Sequence, residues 1–501
     1  MKSMNKSNSS QIFKWLTTGH GMLWVIGFFS LLVFIVNIAF SCNQNGLGFP
    51  LDDAWIHQTY ARGIAREGTW IYSQNEQSAG STSPLWTLLL VPGFLFVEDH
   101  PFIWTYFVSW LCFLGLLIVS FRLFRLHEPE KRIESFIFSL IMIFEWHLVW
   151  ASGSGMETLL FTLGATFILY LLRQDSRGFW IGFCIGLLVC VRPDGITLLG
   201  PALLILGINV LKKEKRIKSI FFLLVGLLLP LILYGYHNYS LSGTILPNTF
   251  FAKSAEYQEL LAVPFFTRYL NLFTVLLSGA GIILLPGFLW SIVLSVKKGD
   301  LWGIGSILWI LGFIFSYSIR LPVTYQHGRY LIPVIPMYLL VGYEGTIDII
   351  GRIKQKKQAM YRRIILTSLV ITNLIFLISG VFAFATDVKI INTLMVQPAV
   401  WLRDHTAQDS IVAAHDIGAI GYYSEREIID LAGLIDFKVI PIIRDEAGLA
   451  KYIQQAGADY LVVFSDWYQE LGKLGEPEIQ YSYKKDGPAV IVQINRLFGP
   501  Q

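Results

Sequence analysis

Residues 51–90 read LDDAWIHQTYARGIAREGTWIYSQNEQSAGSTSPLWTLLL. The stretch opens on two adjacent carboxylates, Asp52 and Asp53, continues as an amphipathic helical pattern, passes through a polar Gly/Ser-rich turn, and ends with Ser83-Pro84 leading into a new apolar run. Apolar runs at 22–41 and 102–121 flank it, each long enough to cross a bilayer core of ~30 Å as a helix. Residues 51–90 are therefore a semi-polar insert between membrane segments, and the count of spans around it decides which side of the membrane it occupies.

The rest of the chain has the same membrane character. Its 501 residues are 54% hydrophobic and 15% charged, with a mean hydropathy of +0.55, whereas soluble proteins carry roughly 25% charged residues. Apolar runs recur at 136–152, 157–172, 180–191, 196–212, 219–236, 269–296, 301–319, 330–347 and 364–385, giving about 11 spans with the two already named. The fold class expected is a polytopic α-helical membrane protein with its N-terminus inside. The formal net charge of +4 is located in short loops rich in Lys and Arg: Arg122–Arg132, Arg173/Arg177, Lys212–Lys218, Lys297/Lys298 and Arg352–Arg363. With eleven spans all of them fall on the cytoplasmic side, as the positive-inside bias requires, so the charge orients the chain and does not point to nucleic acid. Cys42, Cys112, Cys184 and Cys190 lie in or beside apolar runs and form no metal or disulfide pattern. Lys2, Lys6 and Lys14 precede the first run with no small-residue cleavage signature after it, which reads as an uncleaved signal anchor.

This topology has a consequence for Pro84–Val97. A full crossing there would throw the Arg122–Arg132 loop outside, so the segment 84–97 is expected to be re-entrant or interfacial. The first outer loop, 42–83, then shares one extracytoplasmic face with Gly153–Glu157, Arg192–Gly195, Asn238–Arg268 and Arg320–Arg329. A transmembrane catalytic domain is expected over 1–385. Residues 386–501 change composition, with β-type runs at Ile411–Ala414, Tyr460–Phe464 and Ala489–Gln493 and a helical pattern at Glu446–Ala456. They read as a small extracytoplasmic α/β domain of a size that folds independently.

Several polar residues on that outer face ask for an explanation. One aspartate suffices to cap a helix, so Asp52 and Asp53 side by side leave one carboxylate over for chemistry. Asp53 and His57 are four apart and share a helix face, which allows a carboxylate–imidazole pair. Glu157, between two closely joined spans, is either a favourable charge at a helix start or a second acidic site residue. Glu145 and His147, inside a span, are read first as a pair within the bundle. Arg192 is suited to bidentate bonds with phosphate oxygens. Lys253, His327 and Arg329 add positive charge on the same face, although each alone reads equally well as an interfacial cation. Together they describe a cavity with one acidic and one basic wall. Cations would hold a lipid phosphate, and a carboxylate would take a proton from an acceptor hydroxyl.

Asp52-Asp53-Ala54-Trp55-Ile56 with Tyr60-Ala61-Arg62, followed by Thr82-Ser83-Pro84-Leu85-Trp86, resembles the first outer loop of the terminal arabinofuranosyltransferases of cell-wall arabinan. These belong to the GT-C superfamily of polyprenyl-phosphate-sugar-dependent glycosyltransferases. Gly155-Met156-Glu157-Thr158, Arg192-Pro193-Asp194-Gly195, Pro247-Asn248-Thr249-Phe250-Phe251-Ala252-Lys253, Arg329-Tyr330-Leu331, Asp416–Ser424 and Ile429-Asp430-Leu431 continue the likeness in order. The resemblance implies a GT-C-like fold and an inverting sugar transfer from a polyprenyl-phosphate donor to a cell-envelope glycan, lipid or protein acceptor. The general base would come from Asp52 and Asp53, with Glu157 as a second acidic contact. Arg192, Lys253, His327 and Arg329 are the expected donor-phosphate ligands, and His57, Asn248 and Tyr330 the further candidate substrate contacts. No cofactor is demanded; two or three acidic residues could hold a divalent Mg²⁺ or Mn²⁺ with waters completing the shell. The partners expected are the lipid-linked donor, the acceptor and the bilayer of the cell membrane. The competing reading is a polytopic transporter or lipid-linked sugar flippase, for which the polar groups would be expected near the midplane and in repeated halves.

Overall fold

The computed structural model describes residues 19–73, 76–78, 80–97, 99–484 and 487–497. The expected basic leader, with Lys2, Lys6 and Lys14, lies outside the described residues. Among those described, eight helices are long and apolar enough to cross a membrane, or nine when a pair bent by 58°, Arg132–Ile143 and Trp146–Ser152, is taken as one span. The helices over the expected spans 157–172 and 180–191 are Thr158–Arg173 and Gly178–Val191, of 16 and 14 residues. At 1.5 Å per residue they reach about 24 and 21 Å, short of the ~30 Å core, which is why length alone supports eight or nine spans and not eleven. The expected span 269–296 is also divided. Helix Phe265–Val275 stops, Gly279 takes a left-handed φ of 59°, and Ala280–Lys298 resumes. Pro84–Phe96 is a helix of 13 residues, about 20 Å long, too short to cross.

Two features hold the bundle together. Glycines let helices touch backbone to backbone: a Cβ on Gly182 would stand 1.9 Å from the Leu223 carbonyl oxygen, and one on Gly226 would stand 2.1 Å from that of Phe179. The break at Phe144–Glu145 is capped from within, because Glu145 accepts the Leu148 N–H at 2.9 Å and pairs with His147 Nδ1 at 2.7 Å. The ends of the bundle are chemically distinct. At one end ion pairs join the basic loops to their neighbours: Lys215–Asp175, Arg173–Asp300, His127–Glu344 and Arg362–Glu134. The stretches around Asp53, Glu157, Arg192, Lys253 and Arg329 converge elsewhere, around the cavities described below.

The last membrane helix, Gln355–Ile391, passes through a π turn, Asn392–Val396, into helix Gln397–His405. The residue 385/386 boundary expected from composition lies inside this continuous rod. Beyond it, and after a first-loop hairpin of β1 (Ile71–Ser73) and β2 (Glu76–Gln77), come β3 (Ile411–Ala414), β4 (Glu427–Asp430), β5 (Tyr460–Phe464), β6 (Glu476–Tyr483) and β7 (Val490–Arg496). They form a five-stranded sheet in the order β4-β3-β5-β7-β6. Strands β4, β3 and β5 are parallel, and β7 and β6 are antiparallel to their neighbours. The central strands IVAA and YLVVF are almost wholly buried, as strands covered on both faces must be. At the edge, β6 (EPEIQYSY) alternates exposed polar with half-buried positions.

Candidate functional site

The first-loop helix, Asp53–Glu67, buries Ala54–Ala61 almost continuously and ends at Gly68, which takes the left-handed conformation. Asp52 occupies the N-cap position, yet its side chain does not cap its own helix. It caps another one 366 residues away: Oδ2 accepts the Gly418 N–H at 2.7 Å and Oδ1 accepts the Ala419 N–H at 2.8 Å, at the start of helix Gly418–Ser424 in the C-terminal domain. Glycine is required there, since a Cβ on Gly418 would lie 2.0 Å from the Asp52 carbonyl oxygen. At the other end of that helix, Arg62 donates to the Tyr422 carbonyl at 2.8 Å. Carboxylate at the N-terminus and guanidinium at the C-terminus is the arrangement the helix dipole favours. Burial, and after it the charge of Asp416, pushes the Asp52 carboxyl up to about 8, against the pull of its two backbone bonds.

Asp53 turns the opposite way. Its Oδ2 accepts from Arg329 Nη2 at 2.6 Å and faces Lys253 Nζ at 3.5 Å. Both cations also donate to the Tyr330 hydroxyl, Arg329 at 3.1 Å and Lys253 at 3.3 Å. Burial opposes the charge on Asp53, but Lys253 and Arg329 outweigh it and hold the carboxyl well below its ordinary range. Arg329 reaches this point because Gln326, His327 and Gly328 all take left-handed φ values, a turn that costs energy at the two non-glycine positions.

His57 does not pair with Asp53. Its Nε2 lies 3.4 Å from Glu157 Oε2 and its Nδ1 is 3.1 Å from Thr87 Oγ1. The shared helix face made the Asp53 pairing sterically open, but two permanent cations outcompete one imidazole for that carboxylate. Arg192 makes a two-pronged pair with Asp194, at 3.2 and 2.9 Å, and donates to the Tyr317 hydroxyl at 2.6 Å. The structure does not bring His327 to this group: its Nε2 is 2.7 Å from Asp387 Oδ2, which also accepts from Trp150 Nε1 at 2.9 Å. Asn248 faces the outer domain, with Nδ2 3.5 Å from the Ile435 carbonyl.

Two cavities meet at Lys253 and Arg329, the cations that hold Asp53. One, of about 410 Å³, is mostly apolar and takes in Glu157, Arg192, Phe250, Tyr317 and Tyr330. The other, of about 780 Å³, is polar and lies between the first loop and the C-terminal domain, with Asp52, Asp53, Glu256, His415 and Asp416 on its walls. Lys253 and Arg329 line both. Arg329 is only 6% exposed, and its Nε and Nη1 have no hydrogen-bond partner among the described residues. Buried donors of this kind are costly unless something else accepts from them. Chemically, the apolar cavity suits a lipid-linked anion, and the polar one a hydrophilic molecule arriving from the side of the C-terminal domain.

Sequence reasoning gave no site role to Tyr317, Glu256, His415 or Asp416, and read Asp194 only as the cap of the helix that follows it. Asp416 stood in the Asp416–Ser424 stretch quoted for the family likeness, and a carboxylate directly before Ile-Gly-Ala was the available signal. Among the described residues no group of three or more His, Cys, Asp or Glu is arranged to hold a metal ion. Asp52 gives both oxygens to backbone N–H groups and Asp53 turns to Arg329 and Lys253, so the first-loop pair does not fit the Mg²⁺ or Mn²⁺ site that the sequence allowed.

A family model described as a domain of unknown function (DUF8728) matches residues 379–492, the end of the last membrane helix and most of the outer domain. No curated protein sequence matches the chain. Among solved structures, the chain is similar to ArnT from Cupriavidus metallidurans in the apo state, with a TM-score of 0.56 and 12% identity over 95% of this chain and 98% of that one. The same protein bound to undecaprenyl phosphate gives a TM-score of 0.55 at 12% identity, again over 95% and 98%. The archaeal oligosaccharyltransferase AglB from Archaeoglobus fulgidus, in complex with an inhibitory peptide and a dolichol-phosphate, gives 0.54 at 12% identity over 92% of this chain and 74% of that one. At this identity the likeness establishes the fold: a GT-C-like helical membrane body with a C-terminal α/β domain.

Proposed function

We infer that this chain is an inverting membrane glycosyltransferase that moves a sugar, arabinofuranose-like or a hexose, from a polyprenyl-phosphate donor to a cell-envelope acceptor on the outer face of the membrane. The observation that carries the reading is the wall shared by the two cavities, where Arg329 and Lys253 converge on Asp53 and face both sides. That solved structures of this fold hold undecaprenyl phosphate or a dolichol-phosphate supports a lipid phosphate on the apolar side.

The donor's phosphate binds at Arg329 and Lys253, with Arg192 deeper in the same cavity and the isoprenoid chain toward the membrane. The acceptor hydroxyl enters from the polar side and attacks the anomeric carbon. Its O–H proton passes to Asp53, the carboxylate that Arg329 and Lys253 face. The bond between the anomeric carbon and the phosphate oxygen breaks, and the electron pair leaves on the phosphate, stabilised by the same two cations. His57 holds Glu157 in place on the apolar side, where the carboxylate can accept from a sugar hydroxyl. The position of these groups at one end of the bundle supports transfer over transport through the bundle.

The test is purified full-length protein with a panel of polyprenyl-phosphate sugars and cell-envelope acceptors, with and without chelator, reading products by mass. A covalent product that requires Asp53 supports the reading. Movement of lipid-linked sugar across liposomes with no covalent product would replace it with the flippase.

A further inference from the structure

The polar cavity has an unbalanced charge. Its walls carry six carboxylates and three permanent cations, and the cations are already engaged. Arg329 and Lys253 pair with Asp53, and Arg444 pairs with Glu259 at 2.9 Å. Asp52 and Glu446 are occupied by backbone N–H groups. Two carboxylates remain without a permanent cation: Glu256, on the helix that carries Lys253, and Asp416, on the outer domain. Glu256 has only His415, at 3.9 Å, and no described residue hydrogen-bonds the Asp416 carboxylate. Beside them Trp467 lines the cavity with 55% of its surface exposed, its ring 5.4 Å from that of His415. Arg329, more than nine-tenths buried on the same wall, adds two N–H groups without partners among the described residues.

We propose that this cavity is the acceptor site and that it takes an uncharged or amine-bearing saccharide, stacked on Trp467 and held by Asp416 and Glu256, while excluding saccharides that carry phosphate or carboxylate at this point. The assignment rests on the reading of the neighbouring apolar cavity as the donor site. A sugar ring offers an apolar face that fits an exposed indole, and its hydroxyl or ammonium groups are donors for carboxylates. An anionic group placed at Asp416 and Glu256 would meet two carboxylates that no permanent cation pairs with, while the remaining N–H groups of Arg329 serve the donor phosphate in the proposed reading. Selectivity therefore comes from the outer domain and the Lys253 helix together.

The experiment uses the full chain in nanodiscs and follows Trp fluorescence with three probes: a glucosamine tetramer, maltotetraose, and maltotetraose carrying a terminal phosphate. Binding of undecaprenyl phosphate is measured separately. The first two probes bind and the phosphorylated one does not, and the affinity for the amine probe falls with salt. Asp416→Asn or Glu256→Gln weakens the amine probe by roughly tenfold each, the loss expected for one charge-assisted hydrogen bond, with undecaprenyl phosphate binding unchanged. Trp467→Phe removes the fluorescence response to maltotetraose. The proposal is overturned if the phosphorylated probe binds as tightly as maltotetraose, if Asp416→Asn leaves the amine probe unaffected, or if no saccharide binds while undecaprenyl phosphate does. Saccharide binding with no undecaprenyl phosphate binding sinks the donor reading and leaves the charge preference of the polar cavity standing.

Discussion

Arg329 and Asp53, 276 residues apart in the chain, meet at 2.6 Å between Nη2 and Oδ2. In the proposed transfer the pairing joins two roles, proton acceptor and phosphate ligand. It keeps Asp53 ionised, with burial outweighed by Lys253 and Arg329, and so makes it a weak proton acceptor while both cations face it. A phosphate that draws those cations toward itself raises the basicity of the carboxylate, so donor binding and activation of the acceptor become linked.

Asp53→Asn removes both the proton acceptor and the partner of two cations. Transfer falls by at least ~100-fold, the scale of a general base, while the purified variant keeps its helical circular dichroism and its place in the membrane. Product formation per mole of folded protein is the measurement; near-normal turnover would remove Asp53 from the chemistry.

Arg192 and Arg329 separate by phenotype. Arg192 is 6% exposed and two-pronged on Asp194, so Arg192→Ala leaves a carboxylate without its buried partner and costs about 3 kcal/mol of stability. Arg329→Ala chiefly abolishes undecaprenyl phosphate binding. Thermal unfolding and lipid binding, measured side by side on both variants, check the separation.

Gly418→Val drives a side chain into the Asp52 backbone, where even a Cβ would be 2.0 Å from the carbonyl oxygen. Overpacking of this kind costs about 1–3 kcal/mol, and here it acts on the seam between the first loop and the outer domain. Hydrogen exchange at residues 417–422 rises, whereas the helix pair Gly178–Val191 and Lys218–Ser242 stays protected.

The seam also sets a pH dependence. Burial and Asp416 raise Asp52 to about 8, and burial raises Asp416 to about 6, both from 3.8. His415 is raised as well: burial pulls it down, but Glu256 and Asp416 outweigh that. Each group holds its proton more readily in the folded chain, so stability falls as pH rises between about 4 and 8. Asp53 acts in the opposite sense and only below its unfolded value of 3.8. Unfolding midpoints at pH 5.5 and 8.5 show the lower value at 8.5, and Asp416→Asn narrows the gap; a midpoint that climbs with pH would contradict this.

What was legible in the sequence is what local periodicity encodes. Apolar runs located the membrane helices, and strands β3 and β5 start and end where short β-branched runs do. Strand β6 escaped because EPEIQYSY is an edge strand with only half-buried positions. The gathering of Asp53, Lys253 and Arg329 on one face was readable from topology, but their pairing was not: spacing of four residues nominated His57 for Asp53, and only the fold reveals that Glu157 claims it. Asp52 looked like the cap of the helix that follows it and instead caps one 366 residues away. No local pattern distinguishes those two destinations.

The continuous rod from Gln355 through His405 spans 51 residues, about 77 Å, and leaves the outer domain no loose joint to swing on. The helix Asn248–Glu256 touches that domain through Asn248 and Ile435 at 3.5 Å and carries Lys253 on the same short segment. A shift of that helix would carry Lys253 with it, so a displacement at the domain contact would be felt at the Asp53 carboxylate.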